Sequence, residues 1–246
     1  MLILLPPSEG KTAPPTGPPV DLKALAYADE LTESRQKLLG ALAALAELPL
    51  ERAVSMLAVS KGQAAEVAVD AGLGSAPTAP AAGVYTGVLY ERLRLPELPK
   101  RAQGRVLIAS ALWGVLRPTD RIPYYRFSAK ARLDGIGALS AFWRPALAEA
   151  LPDKQGTLVV DMRSGAYAAA WRPKQATLVA VRSFTEVKGK RKPVSHMAKA
   201  TRGEVARALL ESKKAPESAE AAASIAEAAG FAVELTPGFL DVIVSG

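Results

Sequence analysis

The stretch LLPPSEGKTAPP, residues 4–15, places hydroxyl, carboxylate and amine groups directly after an apolar start. It ends like a phosphate-binding loop, but such a loop needs a glycine where Leu5 stands. Pro6 and Pro7 also lack the backbone N–H groups that would cradle a phosphate. We therefore predict a short strand that delivers polar residues to its carboxyl end, where α/β proteins often bind ligands. These residues are Ser8, Glu9, Lys11 and Thr12.

The run ALWGVLRPTDRIPYYRFSAKARL, residues 111–133, is rich in arginine, tyrosine and aspartate. One glycine and two prolines force turns, so these side chains are expected outside regular elements, where such residues often bind ligands. Arginine forks beside tyrosine faces suit phosphates, carboxylates and unstacked bases. The alternative is a loop held together by an internal pair between Arg117 and Asp120. The candidate binding residues are Arg117, Asp120, Arg121, Tyr124, Tyr125 and Arg126.

A second candidate region is basic and covers residues 186–210, EVKGKRKPVSHMAKATRGEVARALL. Four cations precede Ser195, which can cap the helix that follows. A helix start preceded by cations favours anions through both the helix dipole and direct charge. The alternative is a solvated hairpin tip. The cations of the loop and the helix are Lys188, Lys190, Arg191, Lys192, Lys199, Arg202 and Arg207.

Two further residues have side chains that suit acid–base chemistry. His196 has the side chain best suited to act as a general base near neutral pH, but a lone histidine at a helix start more often caps that end. Asp161, in VVDMRSGAY, is the carboxylate best placed for acid–base work or for Mg²⁺, although strand-end aspartates are also common turn and capping groups. No serine or cysteine nucleophile motif accompanies His196, so no catalytic residue is assigned.

Composition limits the classes of protein to consider. The chain has 246 residues, of which 49% are hydrophobic and 22% charged, as in an ordinary soluble domain. It has no cysteine and one histidine, so thiolate zinc sites, Fe–S clusters and multi-histidine sites are excluded, while oxygen-ligand metals such as Mg²⁺ stay open. We assign no metal site and no cofactor. The absence of cysteine and of a signal peptide fits the cytoplasm. A net charge of +7 favours a polyanionic partner.

Apolar periodicity predicts the elements that position these groups. Strands are expected at 2–5, 106–112, 157–162, 177–184 and 231–236. Helices are expected at 32–48, 63–71, 139–151, 196–212 and 213–229. This alternation predicts an α/β fold, a mixed sheet with helices packed on it, built as one domain over residues 1–246.

Taken in order, several segments resemble the YaaA family of bacterial peroxide-stress proteins. They span nearly the whole chain, and the segment at 111–126 is the most specific of them. The segments are MLILLPPSEGKT (1–12), VYTGVL (84–89), ALWGVLRPTDRIPYYR (111–126), AFW (141–143), VVDMRSGAY (159–167) and SHMAKATRGEVARALL (195–210). The resemblance implies a compact α/β domain with a basic cleft and a helix-hairpin-helix-like element. It also implies binding of double-stranded DNA and a role in limiting iron-driven oxidative damage.

The helix-hairpin-helix-like element should fall on residues 60–83, with a first helix and a hairpin at Gly72-Leu73-Gly74. Pro77 and Pro80 interrupt the residues that would form the second helix, which is therefore not expected. Lys61 remains a candidate DNA contact. The opening also departs from the family pattern Ser-Pro-Ala-Lys-Thr, because it inserts an acid and a glycine but keeps the lysine and the threonine.

The resemblance and the basic charge together predict a cytoplasmic protein that holds double-stranded DNA by its phosphates, largely independent of base sequence. The candidate DNA contacts are Lys61, Lys188, Lys190, Arg191, Lys192, Lys199 and Arg202. The candidate pocket for an anion or a small phosphorylated ligand comprises Ser8, Lys11, Thr12, Arg117, Asp120, Tyr124 and Arg126. One alternative is an enzyme that acts on a nucleotide-like or phosphorylated small molecule in the same cleft. Another is an adaptor whose basic surface binds an acidic protein.

Overall fold

Strands and helices alternate along most of the chain. The computed structural model describes residues 1–187, 190–193 and 197–244. The strands in these ranges are β1 (Leu2–Leu5), β2 (Ala79–Pro80), β3 (Val106–Ser110), β4 (Gly114–Leu116), β5 (Arg121–Ile122), β6 (Leu158–Asp161), β7 (Thr177–Val187), β8 (Lys190–Pro193), β9 (Ala232–Thr236) and β10 (Phe239–Val244). The α-helices are α1 (Ala28–Ala43), α2 (Leu50–Leu57), α3 (Glu66–Ala71), α4 (Ala81–Val84), α5 (Val88–Leu93), α6 (Lys100–Gln103), α7 (Leu139–Ala150), α8 (Gly165–Ala168), α9 (Met197–Glu211) and α10 (Ala219–Ala228).

One mixed sheet organises the molecule, with the strand order β4-β3-β1-β6-β7-β10-β9 and β8 paired to β7. The central strands β3, β1, β6, β7 and β10 are parallel, whereas β4 and β9 pair antiparallel at the two edges. Phe184 and Thr185 of β7 pair with both β10 and β8, so β8 lies on the opposite edge of β7 from β10. Strands β2 and β5 form a separate antiparallel ribbon. The predicted α/β fold with a mixed sheet is confirmed.

The centre of this sheet is apolar on both faces. Residues 3–5 of β1, 106–108 of β3 and 158–160 of β6 are each no more than 3% exposed. Continuous apolar runs of this kind are typical of parallel strands that are covered on both sides. The helices supply that cover, since α9 packs on β7 and on α5, and α1 packs on α7. Because β3, β1 and β6 run parallel, their carboxyl ends lie side by side at the same end of the sheet.

A buried arginine ties helix α1 to the edge of the sheet. Arg35 is fully buried, and its guanidinium donates hydrogen bonds to the carbonyl oxygens of Ala26, Trp113 and Val115. Burial lowers its pKa to about 10, with the carboxylates of Asp120 and Glu30 opposing the shift. The charge is kept because it satisfies backbone carbonyls that would otherwise be buried without donors.

The observed elements follow the predicted ones with some differences. The helix expected over 32–48 begins earlier, at Ala28, and gives way at Ala44 to a 3-10 turn. Helix α2 was not predicted, although Pro49 directly precedes it, at a position where proline is tolerated because no helical N–H is needed. The helix expected from residue 213 begins only at Ala219, where the Ser218 hydroxyl accepts a hydrogen bond from the backbone N–H of Ala221.

None of the helices within the described ranges combines the length and the apolar character that crossing a bilayer requires.

Candidate functional site

The segment after β1 runs beside residues 84–87 and is held there by backbone contacts. Lys11 forms an antiparallel bridge with Tyr85, and the backbone N–H of Thr12 donates to the Val84 carbonyl oxygen over 2.9 Å. The Ser8 hydroxyl donates to the carbonyl oxygen of Thr86. Gly87 has a φ of +93°, and a Cβ there would stand 3.0 Å from the Ser8 Oγ, so the close approach requires glycine. The segment is thereby fixed rather than free to fold around a ligand.

Lys11 lies partly buried against two tyrosine rings. Its Nζ donates a 2.7 Å hydrogen bond to the Ser8 carbonyl oxygen and stands 4.4 Å from the centre of the Tyr125 ring. Burial and the nearby Arg126 guanidinium lower the pKa of Lys11 to about 8, against the opposing effect of the carboxylates of Asp70, Glu9 and Glu66. A lysine with this pKa carries a free amine in an appreciable fraction of molecules near neutral pH.

Asp70 is a buried carboxylate of the same region. It belongs to α3, is 1% exposed, and accepts through Oδ1 a 2.7 Å hydrogen bond from the Arg126 backbone N–H. Its Oδ2 is buried and has no hydrogen-bond partner within the described residues. Burial raises the pKa of Asp70 to about 7, although Lys11 and Arg126 favour its ionised form. Buried carboxylates without a full set of partners are unusual and are concentrated at functional sites.

Three further side chains complete the surroundings of Lys11. Tyr124 donates a 2.9 Å hydrogen bond to Glu66 Oε1, and burial raises its pKa. The second oxygen of Glu66, Oε2, is buried without a partner among the residues described. Arg126 donates through Nη1 to the Glu9 carbonyl oxygen over 2.9 Å. The group formed by Ser8, Lys11, Glu66, Asp70, Tyr124 and Arg126 is hereafter the Lys11 site.

A chain of buried hydroxyl groups holds the two tyrosine rings that contact Lys11. The Tyr125 hydroxyl lies 2.6 Å from that of Tyr85 and 2.9 Å from the Ser110 Oγ at the end of β3. Ser110 in turn accepts from the backbone N–H groups of Leu112 and Trp113. Burial raises the pKa of Tyr85 and of Tyr125 well above the ordinary value, so both stay neutral. The rings that contact Lys11 are thus held in place by the sheet.

Asp161, at the end of β6, is occupied by a neighbouring arginine. Arg163 contacts both carboxylate oxygens, with Nε 2.9 Å from Oδ1 and Nη2 2.8 Å from Oδ2. Both side chains are almost completely buried, and Arg163 also donates to the Trp171 carbonyl oxygen. The pair therefore fixes the loop after β6 and leaves Asp161 poorly placed for the acid–base or Mg²⁺ role considered from sequence.

Arg117 and Asp120 make their contacts elsewhere, beside the start of α1. Asp120 Oδ2 accepts from the backbone N–H groups of Ala26 and of Arg117, over 2.9 and 3.0 Å. The exposed Arg117 guanidinium lies over the Tyr27 ring, 5.6 Å from its centre. Arg121 donates to the hydroxyl and to the carbonyl oxygen of Thr78. The contacts of Arg117 and Asp120 thus differ from those of Lys11, Tyr124 and Arg126, and the Thr12 side chain is exposed.

The basic region forms part of a β-hairpin and a helix. Arg191 pairs with Glu234 at 2.5 Å and with Glu186 at 3.7 Å, so its charge is compensated. Lys192 and Lys199 are exposed, whereas Arg202 is partly buried and donates to the Val181 carbonyl oxygen. Four predicted positions lie outside the described residues or have side chains that do. They are Lys188, Lys190, Ser195 and His196.

The segment at 60–83 contains a 3-10 turn at Lys61–Gln63, helix α3 and turns at 72–75. No helix forms between Gly72 and Pro80, and the single turn α4 begins directly after Pro80. Lys61 is exposed on the first turn. A full second helix, which Pro77 and Pro80 excluded in the sequence analysis, is absent from these residues, all of which the structure describes.

Glu66 and Asp70 belong to the site, although neither was predicted from sequence. They stand four positions apart on α3, a spacing that places both carboxylates on one face of a helix. That spacing was a usable signal. The arrangement combines an amine of lowered pKa, a carboxylate of raised pKa and an arginine, which are the kinds of group that proton transfer and anion binding use.

The fold and this site define an α/β protein with a lysine–carboxylate cluster at the strand ends of a single mixed sheet. A family model described as "Peroxide stress protein YaaA" matches residues 1–235. A UPF0246 protein of Streptomyces coelicolor is 42% identical over 262 residues, which cover 99% of this chain and 98% of the relative. A UPF0246 protein of Corynebacterium glutamicum is 40% identical over 247 residues, with 99% and 98% covered. The chain therefore belongs to the YaaA family of peroxide-stress proteins, and the predicted resemblance is confirmed.

Proposed function

We propose that this protein binds double-stranded DNA by its phosphates in the cytoplasm, as part of the response to peroxide. The supporting observation is a set of cations that the protein leaves uncompensated. Lys61, Lys192 and Lys199 are exposed, and within the described residues none of them has a carboxylate at ion-pair distance. With a net charge of +7, such lysines are available to replace the counterions of DNA.

The same residues favour binding that is independent of base sequence. Lysine and arginine on a hairpin and at helix ends contact phosphates, which fix position but carry no sequence information. Reading base edges would require several side chains on one element inserted into the major groove. The proposal therefore predicts similar affinity for unrelated duplexes and a strong dependence on salt.

We further propose that bound protein limits iron-driven damage by occupying the phosphates that attract Fe²⁺. Cations on the protein and the metal ion compete for the same sites. Nicking of a supercoiled plasmid by Fe²⁺ and peroxide should fall as protein is added. Equal nicking at protein concentrations that saturate the plasmid would contradict this part of the proposal.

The DNA proposal is tested by fluorescence anisotropy on two unrelated duplexes across a salt series. Lys192→Gln should weaken binding and lower the slope of log affinity against log salt by about 0.9 for one lost phosphate contact. Arg191→Gln is the matched control on the same strand, because Glu234 and Glu186 already compensate that charge. A flat salt response, or equal losses for the two variants, would contradict the proposed contacts.

A second candidate function is favoured by the Lys11 site, which holds more chemistry than phosphate binding needs. Paired carboxylates with unpartnered oxygens beside an amine suit an enzyme acting on a nucleotide-like or phosphorylated small molecule. Arg126→Lys should then weaken binding of a small phosphorylated ligand and leave affinity for long DNA unchanged. Loss of long-DNA binding by this variant, with unchanged melting, would favour one continuous groove instead.

A further inference from the structure

Lys11 and Asp70 both contact the Tyr125–Arg126 segment, and the DNA contacts proposed above use neither of them. The Lys11 Nζ hydrogen bond goes to the Ser8 carbonyl oxygen, and Asp70 Oδ2 remains without a partner in the described part of the chain. A structural ion pair would satisfy both groups by bonding them to each other. Here the two groups lie at one site, beside Tyr125 and Arg126, but within the described residues no hydrogen bond or ion pair joins them. Each of the two groups therefore keeps hydrogen-bonding capacity for a third molecule.

The surroundings of Lys11 are those of a nucleophilic amine. The carbonyl of Ser8 fixes the position of Nζ, and the rings of Tyr125 and Tyr85 cover it at 4.4 and 5.7 Å. The charged groups that act on it are Arg126, which disfavours the ammonium form, and Asp70, Glu9 and Glu66, which favour it. Lysines that are desolvated beside another cation are the ones that condense with carbonyl groups.

The remaining groups of the site suit a phosphorylated sugar. Arg126 donates one hydrogen bond to the Glu9 carbonyl oxygen, and among the described residues its other donors have no hydrogen-bond partner. A guanidinium with free donors matches two oxygens of a phosphate. The buried Glu66 Oε2 is an acceptor that lacks a donor, which a sugar hydroxyl would supply.

We propose that Lys11 forms an imine with the aldehyde of a phosphorylated sugar, with Asp70 carrying the proton. Two sources offer this chemistry. An abasic site in DNA exposes a sugar aldehyde next to phosphates, and that source rests on the DNA binding proposed above. A free sugar phosphate is the other source and does not depend on it.

The step balances with these two residues and the substrate alone. The Asp70 carboxylate takes a proton from the Lys11 ammonium through one water, since the two groups are not bonded directly. The free amine then adds to the aldehyde carbon to form a carbinolamine. Asp70 returns the proton to the carbinolamine hydroxyl, which leaves as water as the C=N bond forms. Asp70 is again ionised, and the product is a protonated imine on Lys11.

The test is reductive trapping with sodium borohydride, which converts an imine into a stable secondary amine. The probes are a duplex oligonucleotide with one abasic site and glyceraldehyde 3-phosphate, with the adduct located by peptide mass mapping. We expect an adduct on Lys11 with at least one probe. Lys11→Arg should abolish it, and Asp70→Asn should slow its formation by about 100-fold, the scale of a lost proton carrier. Lys37→Arg, at an exposed lysine of α1 that pairs with Glu33, is the matched control and should trap like the unchanged protein.

Thermal melting of each variant establishes that it folds, and anisotropy on the intact duplex measures DNA binding separately. Adducts with glyceraldehyde 3-phosphate but no DNA binding would uphold the imine and overturn the DNA function. DNA binding without an adduct from either probe would overturn the imine and leave DNA binding in place. Adducts spread over surface lysines, with Lys11→Arg trapping as well as Lys37→Arg, would also overturn it.

Discussion

The Lys11 ammonium stands 4.4 Å from the centre of the Tyr125 ring, at the carboxyl end of the central strands. The ring is held from the other side, because its hydroxyl bonds with Tyr85 and with Ser110. A line of contacts thus runs from the end of β3 through Tyr125 to the amine. The position of the Lys11 amine is thus set by contacts that start from the centre of the sheet.

Tyr125→Phe should keep the ring under Lys11 and remove only the buried hydroxyl. Tyr85 would lose its 2.6 Å partner, so we expect the free energy of unfolding to fall by about 1–2 kcal/mol, measured by chemical denaturation. Tyr124→Phe is the control, since its hydroxyl meets Glu66 in a partly exposed position, and about 0.5 kcal/mol is expected there. A larger loss for Tyr124→Phe would contradict the supporting role assigned to Tyr125.

Asp70→Asn should change how stability depends on pH. Burial raises the pKa of Asp70 from 3.8 to about 7 in the folded protein. The stability tied to its neutral form is therefore complete below the ordinary pKa and is lost as pH rises through about 7.

Asparagine keeps the Oδ1 acceptor for the Arg126 backbone N–H and does not ionise. Between pH 4.5 and pH 8, the free energy of unfolding of the variant should rise relative to that of the unchanged protein by on the order of 2 kcal/mol. Denaturant unfolding at each pH measures this difference. Removal of the carboxylate also lowers the pKa of Lys11, because Asp70 favours the ammonium form. This effect adds to the relative gain in the variant's stability as pH rises. Parallel stability curves for the two proteins would show that Asp70 does not titrate in this range.

Arg35→Met should be strongly destabilising although methionine is apolar and similar in length. Three buried carbonyl oxygens, those of Ala26, Trp113 and Val115, would lose their donor. We expect a loss of about 2–4 kcal/mol in the free energy of unfolding. Lys37→Met, on the exposed face of α1 and paired with Glu33, should change it by no more than about 0.5 kcal/mol. Equal effects would mean that the carbonyls find other donors.

Gly203→Ala should separate helices α5 and α9. An added Cβ would collide with the Leu89 carbonyl oxygen and stand 2.9 Å from the Arg92 Cβ, so the two helices pack at glycine distance. Overpacking of this kind costs about 1–3 kcal/mol. Gly40→Ala is the matched control, because Gly40 is exposed on α1 and an added Cβ there would meet no atom within 4 Å. This substitution should raise the free energy of unfolding by about 0.5–1 kcal/mol. Melting temperatures of the two variants should therefore move in opposite directions.

The sequence by itself determined the elements whose signal is local. Strand β1 follows from four consecutive apolar residues before two prolines, and helices α7 and α9 follow from apolar residues at helical spacing. The motif SEGKT was sufficient to place Lys11 after that strand. Helix α2 was not predicted, because Pro49 fits the end of the helix expected at 32–48 as well as the start of another.

The tertiary structure decided which of these residues act together. Arg126 reaches the Glu9 carbonyl across 117 positions and Asp70 across 56, and no local pattern encodes such distances. Arg117 and Asp120, only a few positions from Arg126, contact the start of α1 instead. Turns at prolines send neighbouring side chains in different directions, so closeness in sequence did not predict a shared site. The pKa values of Lys11 and Asp70 depend on burial, which exists only once the sheet and helices have packed around them.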